Sequence, residues 1–440
     1  MTGGGAVGTG AAGAGRSLRA DERAAIEAVD GAWAIDALAR LVRTPSITGD
    51  EGPVQELVVS LLAEAGADVE RLEPDPAAVR EDADWPGEEV PRVRLPIVLG
   101  RLGRKGGRRI VLVGHVDVVP EGDLATWDHD PWSAHIDGDR LHGRGACDMK
   151  GGVASILAVV KALRDSGLAE RIDGELVVAS VPSEEDGGQG MLAAIRAGVT
   201  GDMAVITEPT GLDLVIAHAG AITFRLTVPG RAAHASVRRE GVSALEKLQM
   251  IAKALEADEA ARNAAETDPL MTAHGLPYAT IIGTVHGGNW ASTVIDRIVV
   301  EGRYGVKLGQ TWRDAERDLR RVIDDANESD PFLREHPATV EITGGRFSSS
   351  RVPADHPLPV GLGAAVTDVL GRECRVGGEP YGADMRLLIH HGDTPTVIFG
   401  PGDKRLAHSA NEWVSTSEVV DCARVLAAWL VRELVPAEGL

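Results

Sequence analysis

Cysteine is scarce: Cys147, Cys374 and Cys422 are the only three in 440 residues, and no two are closely spaced. That usage excludes a disulfide framework and a cysteine-based zinc knuckle, and a reducing compartment such as the cytoplasm fits it best. Aromatic residues make up only 3% of the chain, so the core must rest on Val, Leu, Ile and Ala. Basic residues are outnumbered, with 45 Lys and Arg against 66 Asp and Glu and a formal charge of −21. Such a field repels phosphate backbones and anionic lipid heads, so neither nucleic acid nor a membrane is an expected partner. No apolar run approaches membrane-spanning length. The first residues, Met1 to Ser17, are rich in Gly and Ala and lack both a charged start and a Leu-rich stretch, which makes a poor signal peptide. A disordered tail is expected over 1–20.

What is present is an ordinary globular composition, 44% apolar and 25% charged, on a chain long enough for two domains. Trp33 to Val42 carries apolar residues at helical spacing, and Thr44-Pro45-Ser46 stops it, since the residue before a proline avoids the helical region. Val54 to Ala65 repeats the pattern. Glu73 to Pro96, rich in Pro and acid, predicts a surface loop or insertion. Ile110–Val113, Glu175–Val181, Ala204–Thr207 and Thr396–Phe399 read as buried strands, with an apolar helix over Gly152–Leu163 between the first two.

The middle has a different rhythm. Strands over Ile222–Val228, Tyr278–Val285, Arg297–Val306 and Thr339–Thr343 are interleaved with helices over Val242–Leu255 and Trp312–Ala326. That order, strand-helix-strand-strand-helix-strand, is the split unit of a ferredoxin-like two-layer α+β domain. The expected fold class is therefore α/β, with a catalytic domain over 21–219 and 345–440, a central sheet flanked by helices, and an inserted domain over 220–344.

Chemistry-bearing residues collect at the ends of the predicted strands. His115 and Asp117 lie in Gly-His-Val-Asp-Val-Val-Pro, Glu184 and Glu185 in Pro-Ser-Glu-Glu-Asp-Gly-Gly, and Asp148 in Gly-Arg-Gly-Ala-Cys-Asp-Met-Lys-Gly-Gly. Glu208 follows Met-Ala-Val-Ile-Thr, and His408 follows a late strand and a short loop. In an open α/β sheet the carboxyl ends of the strands face a common crevice, so such tips can converge. Singly each has an ordinary reading: a lone strand-end histidine is more often a satisfied core residue, and adjacent glutamates are usually a solvated loop. Asp117 alters that balance, because two residues along an extended strand it shares a face with His115 and can accept the ring N–H. Imidazole and carboxylate donors suit a hydrolytic pair of divalent ions, with five groups sufficing if one carboxylate bridges.

With these motifs the chain resembles the co-catalytic dizinc amidohydrolases that include acetylornithine deacetylase, succinyl-diaminopimelate desuccinylase, aminoacylases and a glutamate carboxypeptidase. The resemblance runs from about Trp33 to Leu434. It implies a zinc-peptidase-like catalytic domain with a central mixed sheet, and an inserted lid that pairs two subunits into a homodimer. It implies two divalent ions, zinc first with cobalt or manganese as alternatives. His115, Asp148 and Glu208 would hold one, and Asp148, Glu185 and His408 the other. Asp117 would orient His115, Glu184 would be the general base, and the peptide after Asp148 would be cis. His234, in Gly230-Arg231-Ala232-Ala233-His234-Ala235-Ser236, matches the histidine that reaches the partner's site and holds the oxyanion. Arg303 matches the lid arginine that binds a substrate carboxylate. The family's Asn-Val-Val-Pro is replaced by Gly288-Asn289-Trp290-Ala291-Ser292-Thr293-Val294, where Asn289 is the candidate for the missing amide. Gly382, Arg386 and Gly400 match segments that line the cleft, with Arg386 a further anion contact.

The implied reaction is removal of an acyl group from an N-acyl amino acid or a related small amide. Glu184 would take a proton from a water made acidic by the ions and pass it to the leaving amine. A dipeptidase or carboxypeptidase is the alternative within the class. An inactive, metal-stabilised binding protein is the alternative outside it, and a retained base argues against that.

Overall fold

The computed structural model describes residues 17–437. Most of the expected tail lies outside the described residues, but its end is a correction: a helix, Ala20–Glu27, starts inside 1–20, and its buried Glu22 is held by Arg19 and Arg432.

A nine-stranded mixed sheet organises most of the chain. Its centre is a parallel run in which Arg108–His115 lies between Gly174–Val181 and Met203–Ile206, with Thr396–Ile398 beside the latter. These strands centre on short apolar stretches, Ile110–Val113, Leu176–Ala179, Met203–Ile206 and Val397–Ile398, because both faces are covered, as parallel strands require. Alternate side chains part to the two faces. Ile110, Leu112, Leu176, Val178 and Val205 enter a core with helices Gly31–Val42, Gly52–Glu64, Gly151–Asp165 and Thr416–Leu434. Val111, Val113, Val177, Ala179 and Ile206 enter the opposite core, closed by helices Gln189–Arg196 and Met385–Gly392. The flanks are mostly antiparallel: Asp68–Leu72 and Ile97–Gly103 on one side, Leu214–His218 and Ser350–Arg351 on the other, where Val376–Glu379 also pairs in parallel with Leu214–His218.

A second, four-stranded antiparallel sheet orders its strands Thr280–Gly287, Arg297–Val306, Gly220–Pro229, Thr339–Phe347. Helices Ala244–Ala264 and Trp312–Ser329 cover one face, and the inward residues Phe224, Leu226, Val228, Ile298 and Val300 form a core of their own. The alternating burial along Gly220–Pro229 and Arg297–Val306 is what a sheet covered on one side requires. The last strand runs on to Phe347, past 344.

Segment 73–96 is not the plain surface loop its composition predicts. It carries a short helix, Pro76–Arg80, and ends with Arg92 and Leu95 buried. Among the described residues, no helix is long and apolar enough to cross a membrane.

Candidate metal centre

His115 is the last residue of its parallel strand, so its backbone is fixed by the ladder while its ring projects beyond the sheet edge. Nε2 lies 3.2 Å from Asp148 Oδ1 and 3.5 Å from Glu208 Oε1. On the other side of Asp148, His408 Nε2 lies 3.4 Å from Oδ2 and 3.0 Å from Glu185 Oε2. Two groups result, His115/Asp148/Glu208 and Asp148/Glu185/His408, each with donor atoms within 4.8 Å of one another and with Asp148 common to both.

The donor chemistry fits divalent cations. Two donors bonded at 2.0–2.2 Å to one tetrahedral ion sit roughly 3.3–3.6 Å apart, close to the spacings in both groups. Electrostatics agree. Burial raises Glu184 well above the usual carboxylate range, and the Glu208, Asp384 and Glu185 charges add to it. Burial and the Asp148 charge lift Glu185 to about 7, while burial, opposed by His115, brings Glu208 to about 7. Hydrogen bonds to Asp148 and Glu185 push His408 up to about 11. Packed carboxylates that repel one another, next to imidazoles recruited as counter-ions, are what a cation between them would relieve.

The backbone around the centre is unusually constrained. Ser183, directly before Glu184, has φ +72°, and His408 has φ +60°. Such left-handed conformations are uncommon outside glycine and collect at functional sites. The Asp148–Met149 peptide is cis, as the resemblance implies.

Asp117 acts differently from the expectation. The His115 Nδ1 hydrogen bond, 2.9 Å, goes to the Asp117 backbone carbonyl, while the nearest carboxylate oxygen is 3.6 Å away. The strand ends at His115, so the two-residue spacing no longer places both side chains on one pleated face. The Asp117 carboxylate instead accepts the backbone N–H groups of Glu184 and Glu185, at 3.1 and 3.2 Å, and the Thr48 hydroxyl. One residue thereby holds the imidazole and the two-glutamate loop in register.

One cleft expectation, that of Arg386 as an anion contact, is corrected. Arg386 is almost fully buried and donates to the carbonyls of Ala383 and Gly187, with Asp384 at 3.7 Å and the Phe347 ring beneath it. It is packed inward and offers nothing to a substrate anion. A Cβ on Gly400 would collide with the Thr207 and Glu208 carbonyl oxygens, and one on Gly382 with Phe347. Both glycines serve close packing.

Arg303 sits on the second sheet with only a long bond, 3.4 Å, from its guanidinium to the Pro380 carbonyl. Among the described residues no carboxylate pairs with it. Asn289 is exposed on the turn after Thr280–Gly287. His234 is also exposed; its Nδ1 accepts the Ser236 N–H, and no hydrogen bond or ion pair joins it to the metal-binding groups among the described residues.

Glu412 was missed by sequence reasoning. Fully buried, it accepts the N–H groups of Cys147 and Asp148 at 2.9 and 3.1 Å and pairs with Arg144 at 2.6 Å. It therefore shapes the turn that presents Asp148. Its only signal is a carboxylate four residues after His408, in a polar loop where nothing marks it as buried.

A sheet-edge cluster of imidazoles and carboxylates at cation spacing, largely buried except at His408 and with a spare glutamate beside it, defines a metal-dependent hydrolase. The comparisons with known proteins give the family. The model for "Peptidase family M20/M25/M40" matches residues 111–432. A succinyl-diaminopimelate desuccinylase of Methylobacterium sp. (strain 4-46) is 35% identical over 301 residues, 65% of this chain and 69% of the relative. The N-formyl-4-amino-5-aminomethyl-2-methylpyrimidine deformylase of Bacillus subtilis (strain 168) is 26% identical over 342 residues, 73% of this chain and 78% of the relative. Among solved structures, an M20 family metallo-carboxypeptidase, Sso-CP2 from Sulfolobus solfataricus, superposes with a TM-score of 0.71 at 14% identity, covering 90% of this chain and 98% of that one. The chain belongs to peptidase family M20/M25/M40.

Proposed function

We propose that the protein is a deacylase that uses two divalent ions to release an acyl group from an N-acyl amino acid or a related small amide. The observation that carries this reading is the pair of donor groups sharing Asp148, with Glu184 beside them and uncommitted. His115, Asp148 and Glu208 would hold one ion, and Asp148, Glu185 and His408 the other. Bound there, the ions would supply Lewis acidity, making a water more acidic and polarising the amide carbonyl. Zinc suits the donors best, with cobalt or manganese as alternatives.

The rest is done by the chain. The Glu184 carboxylate accepts no hydrogen bond from the described residues, so it is free to take a proton from the attacking water and deliver it to the leaving nitrogen. Asp117 holds that loop in place through the two N–H groups. Arg303 would pair with a carboxylate on the substrate, its guanidinium presenting a planar fork of donors. The two similar relatives are named a desuccinylase and a deformylase, and both names describe removal of an acyl group. That favours deacylation over dipeptide cleavage, since solved structures at this level of identity bear on the fold alone.

A screen of N-acetyl, N-formyl and N-succinyl amino acids against dipeptides, with metal analysis, tests the reading. Turnover confined to dipeptides would replace it with a peptidase. Metal content without any turnover would revive the inactive binding protein. Arg303→Ala should raise KM for carboxylate-bearing substrates roughly 10–150-fold, the equivalent of about 1.5–3 kcal/mol for a charged hydrogen bond, with little change on a neutral amide. Equal losses on both would assign Arg303 to lid structure.

The inserted unit, 220–344, would serve as a lid and subunit interface in a cytoplasmic homodimer. Its edge strand Thr280–Gly287 leaves Ile281 and Val285 exposed, and Trp290 beyond it is 75% exposed. An open apolar edge is a template for pairing with another chain. His234 would then complete the partner's site by binding the oxyanion, with Asn289 nearby as a further amide donor. Mixing inactive His234→Ala with inactive Glu184→Gln should restore activity, because a mixed dimer contains one site with both groups. No recovery under demonstrated subunit exchange would rule out action across the interface.

A further inference from the structure

We infer that Arg92, delivered by the Pro- and acid-rich segment 73–96, is a positioning residue that clamps the loop carrying Glu184 and Glu185. This rests on the reading of Glu184 as the general base. One guanidinium nitrogen donates to Glu51 Oε1 at 2.8 Å, and another donates to both oxygens of Asp186 at 3.0 Å. Arg92, Glu51 and Asp186 are all buried. Glu51 stands at the start of helix Gly52–Glu64, whereas Asp186 belongs to the catalytic loop itself. The Arg92 fork therefore ties the loop to a fixed element of the catalytic domain.

Asp186 carries the clamp further. It accepts the Ser183 hydroxyl at 2.5 Å and the Val90 N–H at 3.2 Å. Ser183 is the residue held at φ +72° immediately before Glu184. On the far side of the same loop, Asp117 takes the N–H groups of Glu184 and Glu185. The loop is thus gripped twice, by Asp117 through its backbone and by Arg92 through Asp186. Three buried carboxylates, Glu51, Asp117 and Asp186, surround this clamp, and Arg92 is the guanidinium that bonds to two of them. Burial opposes its charge, and the Glu51, Asp186 and Asp117 carboxylates outweigh that, keeping it protonated. Without it the carboxylates would repel one another, and the loop between them would be the part free to move.

Arg92→Met alone would leave two carboxylates buried without a counter-ion and could unfold the protein. The decisive variant is therefore Arg92→Met/Glu51→Gln/Asp186→Asn, which removes the charges together while keeping the volumes. It should fold, retain the parent's metal content and keep KM within about threefold, yet lose roughly 10–100-fold in kcat, as a displaced catalytic group does. Arg92→Lys should fall between the two, since an ammonium cannot present the planar fork. If the triple variant keeps kcat within about twofold of the parent, Arg92 only stabilises the fold and the inference fails. If that variant does not fold, Arg92→Lys decides alone: a loss in kcat at unchanged KM supports the clamp, and a kcat within about twofold overturns it. Glu184→Gln, assayed alongside, keeps the two readings apart. An active Glu184→Gln removes the base assignment, whereas a dead Glu184→Gln beside a fully active triple variant removes only the clamp.

Discussion

Glu184→Gln should leave the metal content of the protein unchanged and lower kcat by roughly 10²–10⁴-fold, which is about 2.7–5.4 kcal/mol of transition-state stabilisation. The amide has the shape of the carboxylate, and the backbone N–H that anchors the residue to Asp117 is untouched. What it loses is the ability to accept a proton. Glu184 is suited to that task by its place: it is buried, its loop is fixed by Asp117, and its carboxylate accepts no hydrogen bond from the described residues, so it is free to hold an abstracted proton and deliver it to a leaving nitrogen. Steady-state kinetics with elemental analysis on the same preparation check the result. Turnover within about tenfold of the parent, at full metal content, would move the base elsewhere, with Glu185 the first group to test. KM should change little, because the residue acts on the reacting water and not on the resting substrate.

The parts of this architecture that were legible from sequence are those whose physics is local. The parallel strands announce themselves because they are buried on both faces, so Ile110–Val113 is an unbroken apolar run and Glu175–Val181 carries the run Leu176–Ala179. The groups at their tips are legible as one set because strand ends in such a sheet share a crevice. In the structure His115, Asp148, Glu185, Glu208 and His408 do fall into two donor groups around one aspartate. The antiparallel flanks were harder to see. Leu214–His218 and Ile97–Gly103 depend on partners distant in sequence, and the two-residue strand Ser350–Arg351 carries no pattern of its own.

The errors about side chains share a cause. An arginine, a glycine or an aspartate in a motif says nothing about which way the chain turns once a strand has ended. Arg386 was expected to face the cleft, but it lies in the first turn of helix Met385–Gly392 and points into the packing between that helix and the catalytic loop. Asp117 was expected to touch His115 through its carboxylate, yet the strand ends before it and the carbonyl takes that place. Glu412 and Arg92 were invisible for the converse reason. Glu412 sits in a polar loop and Arg92 at the end of a segment rich in Pro and acid, both usual signatures of the surface, and only tertiary contacts make each buried and paired.

The largest effect on metal content is expected from Asp148→Ala. Asp148 offers Oδ1 toward His115 and Oδ2 toward His408, so its removal takes a donor from both groups at once, whereas losing Glu208 or Glu185 would thin only one. Each group would then keep two donors, one imidazole and one carboxylate, too few to hold a divalent ion against solvent at ordinary structural-site affinity. The loss of affinity should exceed the roughly 10–100-fold that follows removal of an outer hydrogen-bond partner. Dialysed Asp148→Ala should carry well under one equivalent of metal and be inactive, while Glu208→Ala and Glu185→Ala should each keep a substantial share of the metal bound at the other group. Asp148→Asn is the informative companion. The side-chain amide keeps the volume and one oxygen, but it is neutral and cannot offer two anionic donors, so metal retention should lie between that of the parent and that of the alanine variant. If Asp148→Ala kept the parent's metal content by elemental analysis, Asp148 would not bridge. The two groups would then have to be independent sites, each completed by donors other than this aspartate.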